Sequence, residues 1–219
     1  MMEKKQRTQA LTVSAVMIAF AVSISAICAV MPFLNLPFGG GFTIASMLPI
    51  IIVAYMYGTK WGLLTAFVYS IMQMLLGFNT VSAFFLPGDS QMLWWRAVIV
   101  ILIDYVIAYT VLGFGGIFRN NFETKKALML GSIFAIFLRY LAHIVSGAIF
   151  FGTWAEWFFT QDGFPEWGEK ILEAFSGASL STVYSIIYNG TYMIPEIIIT
   201  AFVSCIVVRI PQIKMRDEI

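Results

Sequence analysis

Residues 127–154 read ALMLGSIFAIFLRYLAHIVSGAIFFGTW, an apolar run long enough to cross a bilayer, with Arg139 and the chain's single histidine, His143, near its middle. Arg139, His143, Gly147 and Phe150 or Phe151 recur at helical spacing and share one face. An ionisable group in a membrane span is costly, so it normally faces a bundle interior or a ligand cavity. The plainer role for Arg139 and His143 is to satisfy neighbouring helices, and this stretch alone does not separate the two.

The rest of the chain has the same character. Of 219 residues, 60% are hydrophobic and only 11% charged, and mean hydropathy is +0.86. So little polar surface excludes a soluble domain and implies an integral membrane protein. A net charge of +1 excludes nucleic acid as the main partner, because that needs a concentrated basic face. Cys28 and Cys205 both sit in apolar runs and read as small packing residues. One histidine and no Cys-x-x-Cys leave no basis for a structural zinc site, and no cofactor is called for.

Taken in order, a polar start with Lys4, Lys5 and Arg7 leads into an apolar run to about Val30. That run is too long for a signal-peptide core and is read as an uncleaved first helix. A loop with Pro32, Pro37 and Gly39-Gly40-Gly41 precedes a second helix expected over Phe42 to Tyr57. Gly58-Thr59-Lys60 turns into a third helix ending near Gly77, and Pro87-Gly88-Asp89 marks a turn before a fourth span from Met92 to Phe118. The quoted stretch is the fifth span, Glu156 to Glu173 an acidic, aromatic connection, and Ala178 to Val208 the sixth. The expected fold is an all-α integral membrane protein: one six-transmembrane-helix bundle over residues 1–219, with no separate soluble domain.

With both termini on one side, that side carries Lys4, Lys5, Arg7, Lys60, Arg119, Lys125, Lys126, Arg209, Lys214 and Arg216, ten of the 13 basic residues. The positive-inside rule then makes both termini cytoplasmic. The Gly-, Trp- and acid-rich loops face outward.

Asp104-Tyr105 interrupts the fourth span, and an aspartate there must pair with a cation, be protonated, or face a solvated cavity. A structural ion pair with Arg139 is the plain option. In the sixth span Tyr184, Tyr188 and Tyr192 follow at i, i+4, i+8, beside a polar stripe of Ser185, Asn189, Tyr192 and Glu196. Tyrosines so spaced often anchor or pack, but the depth of this stripe favours a cavity wall. Pro195 should bend the helix and release a backbone acceptor. Ala15 and Ala19 make a small-x-x-x-small pair, which serves close packing within the bundle or docking to another membrane protein. No His-Glu-x-x-His, Gly-x-Ser-x-Gly or phosphate loop is present, so an enzyme or a self-contained nucleotide-driven pump is disfavoured. A carboxylate, an imidazole, an amide and many aromatic rings suit a small, planar, cationic heteroaromatic ligand instead.

Pro37-Phe38-Gly39-Gly40 leading to Ser46-Met47-Leu48-Pro49, Asp104-Tyr105, His143-x-x-Ser146-Gly147 with Phe150-Phe151, and Tyr184-x4-Asn189-Gly190 together resemble the thiamine-specific substrate-binding (S) component of bacterial energy-coupling factor (ECF) transporters. The likeness runs over nearly all six spans. It implies a multi-pass protein of the bacterial plasma membrane that captures thiamine on the outer face without catalysis. It also implies partner chains, a transmembrane scaffold (T component) and two cytoplasmic ATPase subunits, that drive release inward. Carried over residue by residue, the resemblance assigns thiamine binding to Asp104, Tyr105, His143, Phe151, Tyr184 and Asn189, and scaffold docking to Ala15 and Ala19. Asp104 stands where the family has glutamate, Phe151 where it has tryptophan, and the glycine run near Gly40 where it has another tryptophan. Trp154, one turn past Phe151, is placed to supply the missing indole. The competing readings are another water-soluble vitamin or a thiamine precursor, and an intramembrane enzyme or stand-alone facilitator.

Overall fold

A computed structural model describes residues 4–36, 40–163 and 165–214. Pro37-Phe38-Gly39 of the first-loop motif, and Arg216 of the basic tally, lie outside the described residues. Those residues are helical apart from connections and one isolated bridge between Asn35 and Gly41.

Among the described residues, four helices are long and apolar enough to cross a membrane. They are α1 (Lys4–Ala29), α5 (Trp94–Gly116, including one π-helical and one 3-10 segment), α6 (Thr124–Phe150) and α9 (Gly177–Val207). At 1.5 Å rise per residue each spans about 34 Å or more, against a hydrocarbon core of about 30 Å. Two further helices complete the bundle, α2 (Leu48–Tyr57) and α3 (Thr59–Leu76).

α2 differs from the expected span. It starts at Leu48 rather than Phe42, and residues 42–47 stay irregular. Pro49, in its first turn, is preorganised to begin a helix, while Ala45 takes the left-handed conformation at φ 57°. Thr43 is held away from a helical path by Glu196, which accepts bonds from its amide and hydroxyl, both 2.6 Å. The ten residues of α2 are short for a span, and Leu48 to Met56 are all buried, as a helix apolar all round requires.

α3 carries Thr65, Ser70 and Gln73, all buried. It uses its polar groups to hold α1: Trp61 Nε1 donates to Ser14 Oγ at 2.9 Å, and Gln73 Nε2 donates to Ser25 Oγ at 2.7 Å. In lipid, where apolar surface gives helices little reason to associate, such bonds orient one against another. With Ser14 and Ser25 turned inward, Ala15 and Ala19 are left exposed on the far side of α1. They do not pack within the bundle.

The expected loops contain structure. Residues 78–91 begin with a short helix, α4 (Phe78–Ala83), and 156–173 hold α7 (Ala155–Phe159) and α8 (Pro165–Ala174). Pro211–Lys214 forms a last turn, α10.

Candidate functional site

The site is built on α6 and α9, which pack against one another along their length. Gly147 makes the approach possible, because a Cβ there would lie 2.2 Å from Ser185 Oγ. Ser185 is buried and donates to the Ile144 carbonyl at 2.8 Å, which ties α9 to α6 beside the site. α6 ends at Phe150, earlier than the expected 154; Phe151 leaves helical geometry and a tight turn over Gly152–Trp154 follows.

α5 contributes through a change of pitch. Leu102–Ile107 is a π-helical turn, wider than the α-helix on either side. π-turns recur at functional sites because they re-aim side chains, and this one holds both Asp104 and Tyr105. The Asp104 carboxylate accepts from His143 Nδ1 at 2.9 Å and from Ser146 Oγ at 2.7 Å. A carboxylate on Nδ1 makes that nitrogen the protonated one in a neutral imidazole. The pairing of Asp104 with Arg139 that the sequence left open is not formed. Arg139 instead donates to Tyr109 Oη and Met47 Sδ, both at 3.0 Å, and lies 4.3 Å from the centre of the Tyr109 ring. Tyr109 can take it because it stands one helical turn beyond Tyr105 on the same span.

These groups line a cavity of about 630 Å³. Asp104, Tyr105, His143, Phe151, Trp154, Tyr184 and Asn189 all face it, as do Arg139 and Gly147. The tyrosine series is a wall of this cavity, with Tyr184 and Tyr188 stacked at 5.5 Å and Tyr192 edge-on to Tyr188 at 6.1 Å. Asn189 spends its amide on α6 and α9 backbone, donating to Ser185 O at 2.8 Å and His143 O at 3.3 Å, while Tyr192 Oη donates to its Oδ1. Gly40, at φ 76°, brings the first loop over the cavity against the Tyr192 ring.

Two expected members fall elsewhere. Ser185 turns into the α6–α9 seam, and Glu196 lines a second cavity of about 420 Å³ bounded by α1, α3 and the first loop. Tyr105, Tyr109, Arg139 and Gly41 separate the two chambers, facing both.

The structure gives a role to Ser146, named so far only within a motif, and adds residues that pattern reading passed over. Ser146 holds Asp104, and its i+3 offset from His143 is the signal that places it on the same face. Thr80, Phe84 and Ser90, in the connection read only as a turn, close one side of the cavity, with Phe84 6.1 Å from Phe151 ring to ring. Trp157 lies at the rim against Trp154, the rings 5.7 Å apart. No periodicity marks these positions, since they come from short connecting elements. Among the described residues no group of acidic, histidine and cysteine side chains is arranged to hold a metal ion.

Membrane-length helices around an aromatic cavity with, among the described residues, one carboxylate describe a polytopic membrane protein with a chamber of the size and lining of a small-molecule site. Residues 11–157 match the family described as "Thiamine transporter protein", and the chain belongs to that family. It is thus a multi-pass bacterial membrane protein of a transporter family rather than an enzyme family. The thiamine transporter ThiT of Bacillus subtilis (strain 168) is 30% identical over 215 residues, covering 93% of both chains. The solved structure of ThiT from Listeria monocytogenes superposes with a TM-score of 0.63 over 95% of this chain and 98% of that one, at 20% identity, so the two share a fold.

Proposed function

We propose that this chain is the thiamine-capturing membrane subunit of an energy-coupling factor transporter, taking the vitamin from the outer face into the main cavity. Six spans cross the bilayer, α2 and α3 among them, with both termini cytoplasmic. Asp104, Tyr105, His143, Phe151, Trp154, Tyr184 and Asn189 contact the ligand. A separate membrane scaffold and two ATPase subunits supply the energy, docking against the exposed Ala15–Ala19 face of α1.

The observation that carries this reading is the placement of Asp104. Among the described residues it is the one carboxylate lining the cavity, whose other members are aromatic rings, neutral polar groups and Arg139, which is turned onto the face of Tyr109. Thiamine is a thiazolium cation joined to an aminopyrimidine, so it offers a positive charge, two π-faces and a hydrogen-bonding edge. A buried carboxylate serves as counter-ion or as partner to the pyrimidine edge, and the tyrosine and tryptophan faces accept the cation. Glu196 and Arg139 face the second cavity together, which offsets their charges and leaves Asp104 as the group for a monocation to neutralise.

Titrating thiamine into the purified chain in detergent, read by tryptophan fluorescence and calorimetry, tests the proposal. Saturable one-to-one binding is expected. No binding in monodisperse protein, or thiamine accumulation by vesicles holding this chain alone, would refute it.

A further inference from the structure

We propose that Trp157 is a further ligand-contacting residue, whose indole takes a ring face of the bound heteroaromatic cation at the rim of the main cavity. The proposal rests on the thiamine reading above and extends it to a residue that no sequence motif marks.

Trp157 sits on α7, a single short turn fixed by its other side. Ala155, Phe158 and Phe159 are buried to 1% exposure or less. The Phe158 ring packs edge-on against Tyr184 at 5.4 Å and Tyr188 at 5.7 Å, and Phe159 meets Trp167 at 6.1 Å. The turn is therefore attached rigidly to the same tyrosines that form the cavity wall. Trp157 projects from the opposite side of the turn, remains 45% exposed, and lines the cavity.

Neither plain role for a tryptophan accounts for that position. A packing residue would be buried with Phe158 and Phe159. An interfacial anchor has no reason to face the cavity, and Trp94, 71% exposed, does not line it. The arrangement with Trp154 supports ligand contact. Trp154, which also lines the cavity, packs edge-on with Trp157, the planes inclined at 82°, so the two indoles stand together at the cavity. Indole is the side chain that attracts cations most strongly through its face. Asp104, only 18% exposed on its side chain, lines the same cavity. A two-ring cation can thus engage the carboxylate with one end while the other lies against the rim.

The test uses the full chain in detergent, with thiamine as the probe. Trp157→Ala is expected to raise Kd about tenfold, within the range of a partly desolvated cation–π contact. Trp157→Phe keeps a ring, so it is expected to recover most of that affinity while still losing part of the thiamine-induced fluorescence quench. Trp94→Phe, at an indole that does not line the cavity, is expected to change neither quantity. If native protein binds thiamine but Trp157→Ala stays within twofold in Kd with undiminished quench, the inference is overturned and the thiamine reading stands. If Trp157→Ala does not stay monodisperse, Trp157→Phe decides: an undiminished quench overturns the inference and a reduced one supports it. If native protein binds no thiamine, the functional reading fails and this inference fails with it.

Discussion

Replacing Asp104 by asparagine should separate ligand recognition from folding. The carboxylate accepts two bonds, from His143 Nδ1 and Ser146 Oγ. An asparagine of the same size can keep both: its carbonyl accepts from the imidazole, and its amide donates to the serine hydroxyl, which can rotate to accept. The substitution therefore removes the negative charge and leaves the α5–α6 contact largely intact. Losing one partner of a buried charged contact typically costs about 2–5 kcal/mol, so thiamine affinity should fall by about thirtyfold to several thousandfold. The α5–α6 seam loses only the charge-assisted part of two hydrogen bonds, roughly 1 kcal/mol. Calorimetric titration of detergent-purified Asp104→Asn protein, with thermal unfolding in parallel, reads both quantities. Asp104→Glu, which keeps the charge, should be much milder. An unchanged dissociation constant in monodisperse Asp104→Asn protein would remove the carboxylate from the site, leaving it a structural tie between α5 and α6.

Other perturbations reach other links. Ala15 and Ala19 are exposed on α1, so replacing both with tryptophan should abolish thiamine uptake in cells while binding by the isolated chain stays within about twofold, because bulk blocks close helix approach without disturbing the cavity; loss of both together would refute the docking role. Gly147→Ala places a methyl 2.2 Å from Ser185 Oγ and 3.2 Å from Asn189 Nδ2, and overpacking of this kind should cost about 1–3 kcal/mol in thermal stability in detergent. Glu196→Ala removes the acceptor for both Thr43 donors, so amide hydrogen exchange across residues 40–46 should accelerate, and unchanged protection there would show that the first loop is held by other means.

Much of this protein was legible without coordinates. Length of apolar run and distribution of charge are enough to identify membrane helices, because lipid forces backbone groups to pair within each segment and leaves little choice of structure. Single costly residues in those runs, Asp104 and His143 above all, could be singled out because a buried ionisable group needs a reason to be there. The i+4 spacing of Tyr184, Tyr188 and Tyr192 likewise foretold one wall of the cavity.

The tertiary structure decided the pairings and the boundaries. Whether Asp104 meets Arg139 or His143 depends on the π-turn at Leu102–Ile107, which no pattern in an apolar run announces. Glu196 shares a helical stripe with Asn189, yet it serves a different chamber because the first loop comes in to bind it through Thr43. Phe84 and Trp157 reach the cavity from short elements with no periodicity of their own. Sequence spacing reports which residues share a face of one helix. Which faces meet, and which side chain satisfies which buried charge, is set by packing between segments far apart in the chain, where hydrogen-bond geometry and close approach at residues such as Gly147 select among partners of equal chemical merit.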